Sequence, residues 1–223
     1  MEAADNPLAA ILGLELAAEC TALHDEHGVR LLTGHVVQRL LADGGGVRGV
    51  QLSNGQQLAA DVVVVGIGVR PNTEWLAGSG VTVDNGVVCD AGGVTAVSEV
   101  VAVGDVASYW SAFCDRRTRV EHWTTAMEHP HAATENLLAG QTVRAVGDIP
   151  YFWSEQYGVR IQFAGHRLPG AVHRIVDGDL AERRWTAIYE VDGRCVAVLA
   201  MNQPRTFTRL RREIVGRQHA HLP

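Results

Sequence analysis

Lysine is missing altogether from these 223 residues, so all 19 basic side chains are arginine, and nothing about function is read from that. Paired cysteines are missing too. Cys20, Cys89, Cys114 and Cys195 stand far apart, with no Cys-x-x-Cys pair and no metal-ligand spacing. That pattern excludes a redox-active dithiol of this type and suits a reducing compartment. Long apolar runs are also absent. The longest, Val-Val-Val-Val-Gly-Ile-Gly-Val at 62–69, falls far short of the roughly 20 residues that cross a bilayer. The opening residues, Met1 to Asn6, lack the positive segment that begins a signal peptide. A cytoplasmic protein is expected, with neither a membrane nor a nucleic-acid partner.

What is present suffices for a core, since 47% of the residues are apolar. The net charge of −6 is unevenly spread. Residues 1–150 hold eight arginines against eighteen acids, whereas 151–223 hold eleven arginines against seven acids. Such a basic final third suits an acidic partner, although an ordinary solvated surface would show the same charges.

Gly44-Gly45-Gly46-Val47-Arg48-Gly49 satisfies the Gly-x-Gly-x-x-Gly pattern of dinucleotide-binding loops. Such a loop must follow a strand and open a helix, so that phosphate meets free N–H groups. Here the glycines sit between two strand-like stretches, which predicts a hairpin turn instead. Gly66-Ile67-Gly68 is the other candidate. Pro71 stands where a third glycine would be expected, so these residues read as a short loop ending a strand.

Elsewhere the pattern predicts a helix from the Asn6 cap and Pro7 to Gly28, with Leu8, Ile11, Leu12, Leu16, Cys20 and Leu23 on its buried face. Strands are expected at 28–34, 35–42 and 47–55. Residues 61–68 read as a strand buried on both faces, as in a parallel sheet. A hairpin is expected around Asn85-Gly86, then a short buried strand within 99–107 that ends in Gly104-Asp105. A helix capped by Thr124 or Thr125 should stop at Gly140. Pro130 calls for a late start or a kink in it. From about 148 the pattern turns strand-rich, with turns at Asp177-Gly178 and Asp192-Gly193, before a basic helix over 204–217.

Four stretches in this order, 61–81, 95–107, 120–140 and 151–165, resemble the C-terminal part of the FAD-dependent ferredoxin and rubredoxin reductases, flavoproteins with two dinucleotide-binding domains. The resemblance runs over essentially the whole chain. It implies an α/β fold: an incomplete two-dinucleotide-binding-domain flavoprotein followed by an α+β C-terminal interface domain. Residues 1–73 would be part of the NAD(P)H-binding domain, 74–146 the returning part of the FAD-binding domain, and 147–223 the interface domain. Both glycine-rich loops of the family would lie upstream of Met1, so the chain looks like a reductase lacking its N-terminal half.

The implied activity is electron transfer from NAD(P)H through FAD to a ferredoxin or rubredoxin-like iron protein. Asp105 matches the acid that bonds the FAD ribityl chain, with Gly104 letting the backbone come close. Glu121, His122 and Trp123 match the stretch beside the flavin ring, and the following helix could aim its N-terminal dipole at the flavin. His129-Pro130 departs from the family's usual Gln followed by a small residue. Trp153 matches an aromatic beside the flavin; a core tryptophan at a domain junction is the equal alternative. Arg70, Pro71 and Asn72 match a loop crossing between nucleotide domains. Glu2 matches the acid that meets the adenosine ribose and favours NADH by repelling a 2′-phosphate. Arg209, Arg211 and Arg212 would dock the acidic partner. His122, His129 and His131 do not show a zinc spacing, and no metal is expected.

Two alternatives remain open at this point. A cofactor-free, non-catalytic remnant could act as an oligomeric or binding module, because 61–68 would lose its neighbouring strands. A homo-oligomer is expected on that ground. A related nitrite or disulfide reductase is opposed by the missing cysteine pair.

Overall fold

The computed structural model describes residues 1–146 and 149–219, with side chains through Val215. Two compact units divide the chain, Met1–Val69 and Arg70–Pro223.

In the first unit α1 (Ala9–Leu12) and α2 (Leu14–Glu26) replace the single helix expected from sequence. Gly13 separates them at φ 80° and ψ 161°, a region that only glycine enters freely. Leu12, Leu16, Cys20 and Leu23 are buried as the spacing predicts. Leu8 and Ile11 are not: both stay exposed, Leu8 in a left-handed conformation ahead of α1. Residues 28–34 form no strand ladder. Two backbone bonds tie this stretch to the N-terminus, from Glu2 N–H to the Leu32 carbonyl (2.8 Å) and from Gly34 N–H to the Ala4 carbonyl (3.2 Å).

Strands β1 (Val37–Asp43), β2 (Gly46–Leu52) and β3 (Gln57–Ala59) form an antiparallel meander. Gly44 and Gly45 occupy the β1–β2 turn, as their flanks predict, and the Asp43 carboxylate accepts from Gly45 N–H (3.0 Å) and Arg48 Nε (2.6 Å). Gly49, the last glycine of the false motif, lies against β3. A Cβ there would sit 2.1 Å from the Leu58 carbonyl oxygen. That glycine serves strand pairing rather than phosphate.

The strand expected over 61–68 is not formed, and most of its apolar side chains are exposed. A strand buried on both faces needs a neighbour at each edge and a layer on each side. No described residue pairs with this one.

The second unit opens with a 3-10 turn at Glu74–Leu76. A small sheet of order β4 (Val87–Val88), β5 (Ala107–Ser111), β6 (Arg116–Arg119) follows, with β4 parallel to β5 and β6 antiparallel. Asn85 and Gly86 both take positive φ in the predicted turn. The strand expected over 99–107 is replaced by one isolated bridge, Val94–Val101, and a 3-10 turn at Gly104–Val106. Only β5 beyond the turn is a true strand, and its hairpin with β6 was not foreseen.

Helix α3 (Trp123–Ala139) starts at once after His122 and carries Pro130 in its interior, so neither the late start nor a Thr124 or Thr125 cap is found. Its end at Gly140, φ 67°, is as predicted. Ala132 joins Leu76, Val87, Cys89, Ala102, Ala107, Tyr109, Val120 and Val146 in one core.

Strands β7 (Tyr151–Gln156), β8 (Val159–Gly165), β9 (Val172–Asp179), β10 (Arg184–Val191) and β11 (Arg194–Met201) form an antiparallel sheet of order β7-β8-β11-β10-β9. Helix α4 (Pro204–His219) lays Phe207 and Ile214 against Ala164, Ile188, Val198 and Ala200. Asp192 and Gly193 make the predicted turn. Gly178 instead lies inside β9, opposite Trp185, where a Cβ would meet the Arg184 carbonyl oxygen at 2.0 Å. No helix among the described residues is long and apolar enough to cross a membrane.

Candidate functional site

The turn at Gly104–Val106 sits against the start of α3. Gly104 holds φ 67°, and a Cβ there would lie 3.3 Å from the Ala126 Cβ. Absence of a side chain lets the turn close on the helix. Asp105 leaves its carboxylate at the exposed side of the turn, while its backbone carbonyl accepts from Arg119 Nη1 (3.0 Å). The same Nη1 pairs with Glu121 Oε1 at 2.6 Å, and the Arg119 side chain is largely buried. Arg119 thus locks the Asp105 turn to the strand leading into α3. Sequence reading missed this residue. The extended Arg119-Val120-Glu121 stretch was its signal, since alternation places Arg119 and Glu121 on one face.

His122 caps α3 in an extended conformation without a side-chain bond to the helix amides. Its ring packs on Phe152 with centroids 5.3 Å apart. Burial pushes its pKa down, against the pull of Asp105 and Glu121, so the ring is held neutral. Thr124 donates from Oγ1 to the Tyr151 carbonyl at 2.7 Å, tying the first turn of α3 to β7. Trp123 is 67% exposed and Trp153 on β7 is 40% exposed, and their rings meet edge to face at 6.0 Å. Trp153 stacks on Tyr151 at 5.7 Å, and the Arg211 guanidinium lies 4.5 Å from the Tyr151 ring centre.

Gly104, Asp105, Glu121, His122, Trp123 and Trp153 therefore all belong to the second unit, linked by Arg119, Phe152 and Tyr151. Glu2 belongs to the first unit, where its Oε1 accepts from Ala4 N–H at 2.9 Å. The three arginines of α4 are split. Arg209 and Arg212 line a surface groove with Pro204, Arg205, Thr208 and Glu213, whereas Arg211 turns to Tyr151. Among the described residues no group of three or more His, Cys, Asp or Glu is placed to hold a metal ion.

These residues fit one side of a flavin. Gly104 permits close backbone approach, Asp105 offers an acceptor for hydroxyl groups, and two partly exposed indoles offer flat apolar faces. They do not fit its pyrophosphate. Among the described residues no glycine-rich loop joins a strand to a helix N-terminus.

Comparison with known proteins gives the chain's family. Residues 1–129 match the pyridine nucleotide-disulphide oxidoreductase family, and residues 151–221 match the reductase C-terminal family. The chain is 38% identical over 196 residues to the ferredoxin–NAD(+) reductase component of an anthranilate 1,2-dioxygenase system from Burkholderia cepacia, covering 87% of this chain and 47% of that protein. It is 34% identical to putidaredoxin reductase from Pseudomonas putida, covering 87% of this chain and 46% of that protein. Its fold superposes on a chain from the covalent putidaredoxin reductase–putidaredoxin complex with TM-score 0.86 at 30% identity, covering 96% of this chain and 51% of the other. The chain spans about half the length of the relatives it matches. These matches place it: the chain belongs to the pyridine nucleotide-disulphide oxidoreductase family, and its last strands and helix match the reductase C-terminal family.

Proposed function

We propose that the protein passes electrons from NAD(P)H through FAD to a ferredoxin-type iron–sulfur partner. In this reading the chain supplies the flavin-facing wall and the partner-facing module. The carrying observation is the Gly104–Asp105 turn held by Arg119 against α3, beside the partly exposed Trp123 and Trp153. FAD, when bound, supplies the chemistry that links a two-electron donor to a one-electron acceptor. Asp105 would accept hydrogen bonds from ribityl hydroxyls. The uncapped start of α3 would face the electron-rich end of the ring and stabilise negative charge there. Trp123 and Trp153 would exclude water from the ring edge, and neutral His122 would leave that charge uncompensated by a nearby cation.

The domain division at 1–73, 74–146 and 147–223 belongs to the same proposal, its second boundary abutting residues outside the described ones. NADH is the preferred donor in this reading, on the chemistry of Glu2 as a carboxylate that repels a 2′-phosphate. A ferredoxin is the preferred acceptor, on the names of the relatives and the basic balance of residues 151–223. Arg209 and Arg212 are the proposed contacts, and Arg211 acts through Tyr151. A rubredoxin is the second choice. A cytoplasmic location belongs to the same reading, supported by four free, scattered cysteines.

The second reading is a folded module that holds no cofactor by itself. Titration with FAD separates the two. Stoichiometric binding, weakened by Asp105→Ala and by Trp123→Ala, supports the first. A folded chain that leaves FAD free in solution supports the second.

A further inference from the structure

Tyr151, the first residue of β7, is where α3, β8 and α4 meet. Its carbonyl accepts from Thr124 Oγ1 of α3 (2.7 Å), and its hydroxyl oxygen accepts from Gln162 Nε2 of β8 (2.9 Å). Its ring meets Phe207 of α4 at 5.6 Å and stacks on Trp153 at 5.7 Å and 23°. Strand alternation explains the stack, since residues 151 and 153 share one face of the sheet. The Arg211 guanidinium lies over the Tyr151 ring, and Trp153 carries the series on to Trp123. Contacts therefore run without a break from α4 to the start of α3.

Hydrogen bonds fix both ends of the Tyr151 residue, at its carbonyl and its hydroxyl. Rotation about the ring's long axis is the freedom that remains, and whatever lies over the ring sets it. Arg211 is held there by a cation–π contact, which is weaker than the charge-assisted bond a guanidinium makes to a carboxylate. Among the described residues no carboxylate pairs with Arg211, and Glu213 on the same helix is taken by Arg209 at 2.8 Å. Arg211 thus has two arrangements open to it, on the ring or on an incoming acid, and only the first presses on the stack.

We propose that Tyr151 is a positioning residue for Trp153 and that Arg211 sets it: carboxylates of a partner docked on α4 draw the guanidinium off the ring, and the stacked indole reorients beside the start of α3. The inference deepens the proposed function and rests on its α4 docking surface. An acidic partner then changes the indole at the proposed flavin face only while it is docked. Arg209 and Arg212 supply attraction in the groove, and Arg211 reports the contact inward.

The test needs no cofactor. Rings this close couple their electronic transitions, so part of the near-ultraviolet circular dichroism of the full chain belongs to the stack, and Trp153→Phe identifies that part. Arg211→Gln should change the same band. Arg211→Lys keeps a cation and should largely restore it, whereas Arg209→Gln, outside the stack, should leave it as in the parent. A hexaglutamate peptide serves as the acidic probe, its binding at low ionic strength followed by fluorescence anisotropy of a labelled copy. It should bind the parent and shift the band, and it should bind Arg211→Gln through the remaining arginines without shifting it. An unchanged band in Arg211→Gln, with the far-ultraviolet spectrum of the parent, overturns the positioning role. Peptide that binds the parent without shifting the band overturns the coupling and leaves the docking surface standing. Peptide that fails to bind overturns the docking surface, and the coupling with it.

Discussion

His166 shows how strongly single side chains are constrained in the second unit. Burial pushes its imidazole from the ordinary 6.5 down to about 4, with Arg116 and His122 adding to the shift. Its Nε2 is buried without a hydrogen-bond partner among the described residues. His122 is lowered in the same direction. Between pH 6.5 and about 4 the unfolded chain binds a proton that folded His166 does not. Stability is therefore fully present above the unfolded pKa and is lost as pH falls through this window. His166→Phe removes the titrating group, so its melting temperature should fall less than the parent's on acidification. Equal falls would show that other groups carry the acid sensitivity. Arg119 teaches a different lesson. Alternation sets it on one face with Glu121, a signal the sequence reading passed over, and its bond to the Asp105 carbonyl had no signal at all, because the β5–β6 hairpin that delivers it had none.

Among the elements, those whose signals are local were readable: the Gly44–Gly45 hairpin, the Gly140 helix stop and the Asp192–Gly193 turn. Those that depend on distant neighbours were not. Residues 61–68 carry the composition of a buried strand, yet burial is a property of surroundings that no described residue provides. The expected strand before Gly104 failed for the same reason. Helix α3 is the opposite case, for it persists through Pro130 although proline removes an N–H and crowds the preceding turn. Tertiary packing of Ala132, Ala133 and Asn136 outweighs that local penalty. Asn136 in particular donates to the Gly92 and Arg144 carbonyls and accepts from Val143 and Arg144 N–H. Pro130→Ala should restore an N–H toward Ala126 and raise stability by about 1–2 kcal/mol, less than the full interior penalty because alanine loosens the unfolded chain. Urea unfolding measures this directly, and a lower midpoint would show that the proline fits its site.

At the scale of the whole molecule, the residues proposed to face the flavin gather in the second unit. The resemblance named the turn, the helix start and the indoles, and the second unit carries all of them. Docking through α4 is the remaining proposal. Arg209→Glu with Arg212→Glu should weaken binding to an acidic ferredoxin and flatten its dependence on salt, since exposed charges act through a screened field. Arg211→Glu should act differently, because that side chain covers Tyr151 rather than the groove. Binding measured across ionic strengths distinguishes the two, and unchanged binding in the double variant would remove α4 from the docking surface.

The strand order β7-β8-β11-β10-β9 sets β11 between two partners, with Ala197–Met201 paired on both sides. In deuterated water its amides should be the last of the module to take up label, while β9 at the rim exchanges first. That gradient dates the opening of the sheet from the edge inward, so the protection of β11 records unfolding of the entire module and that of β9 records only the loosening of its border.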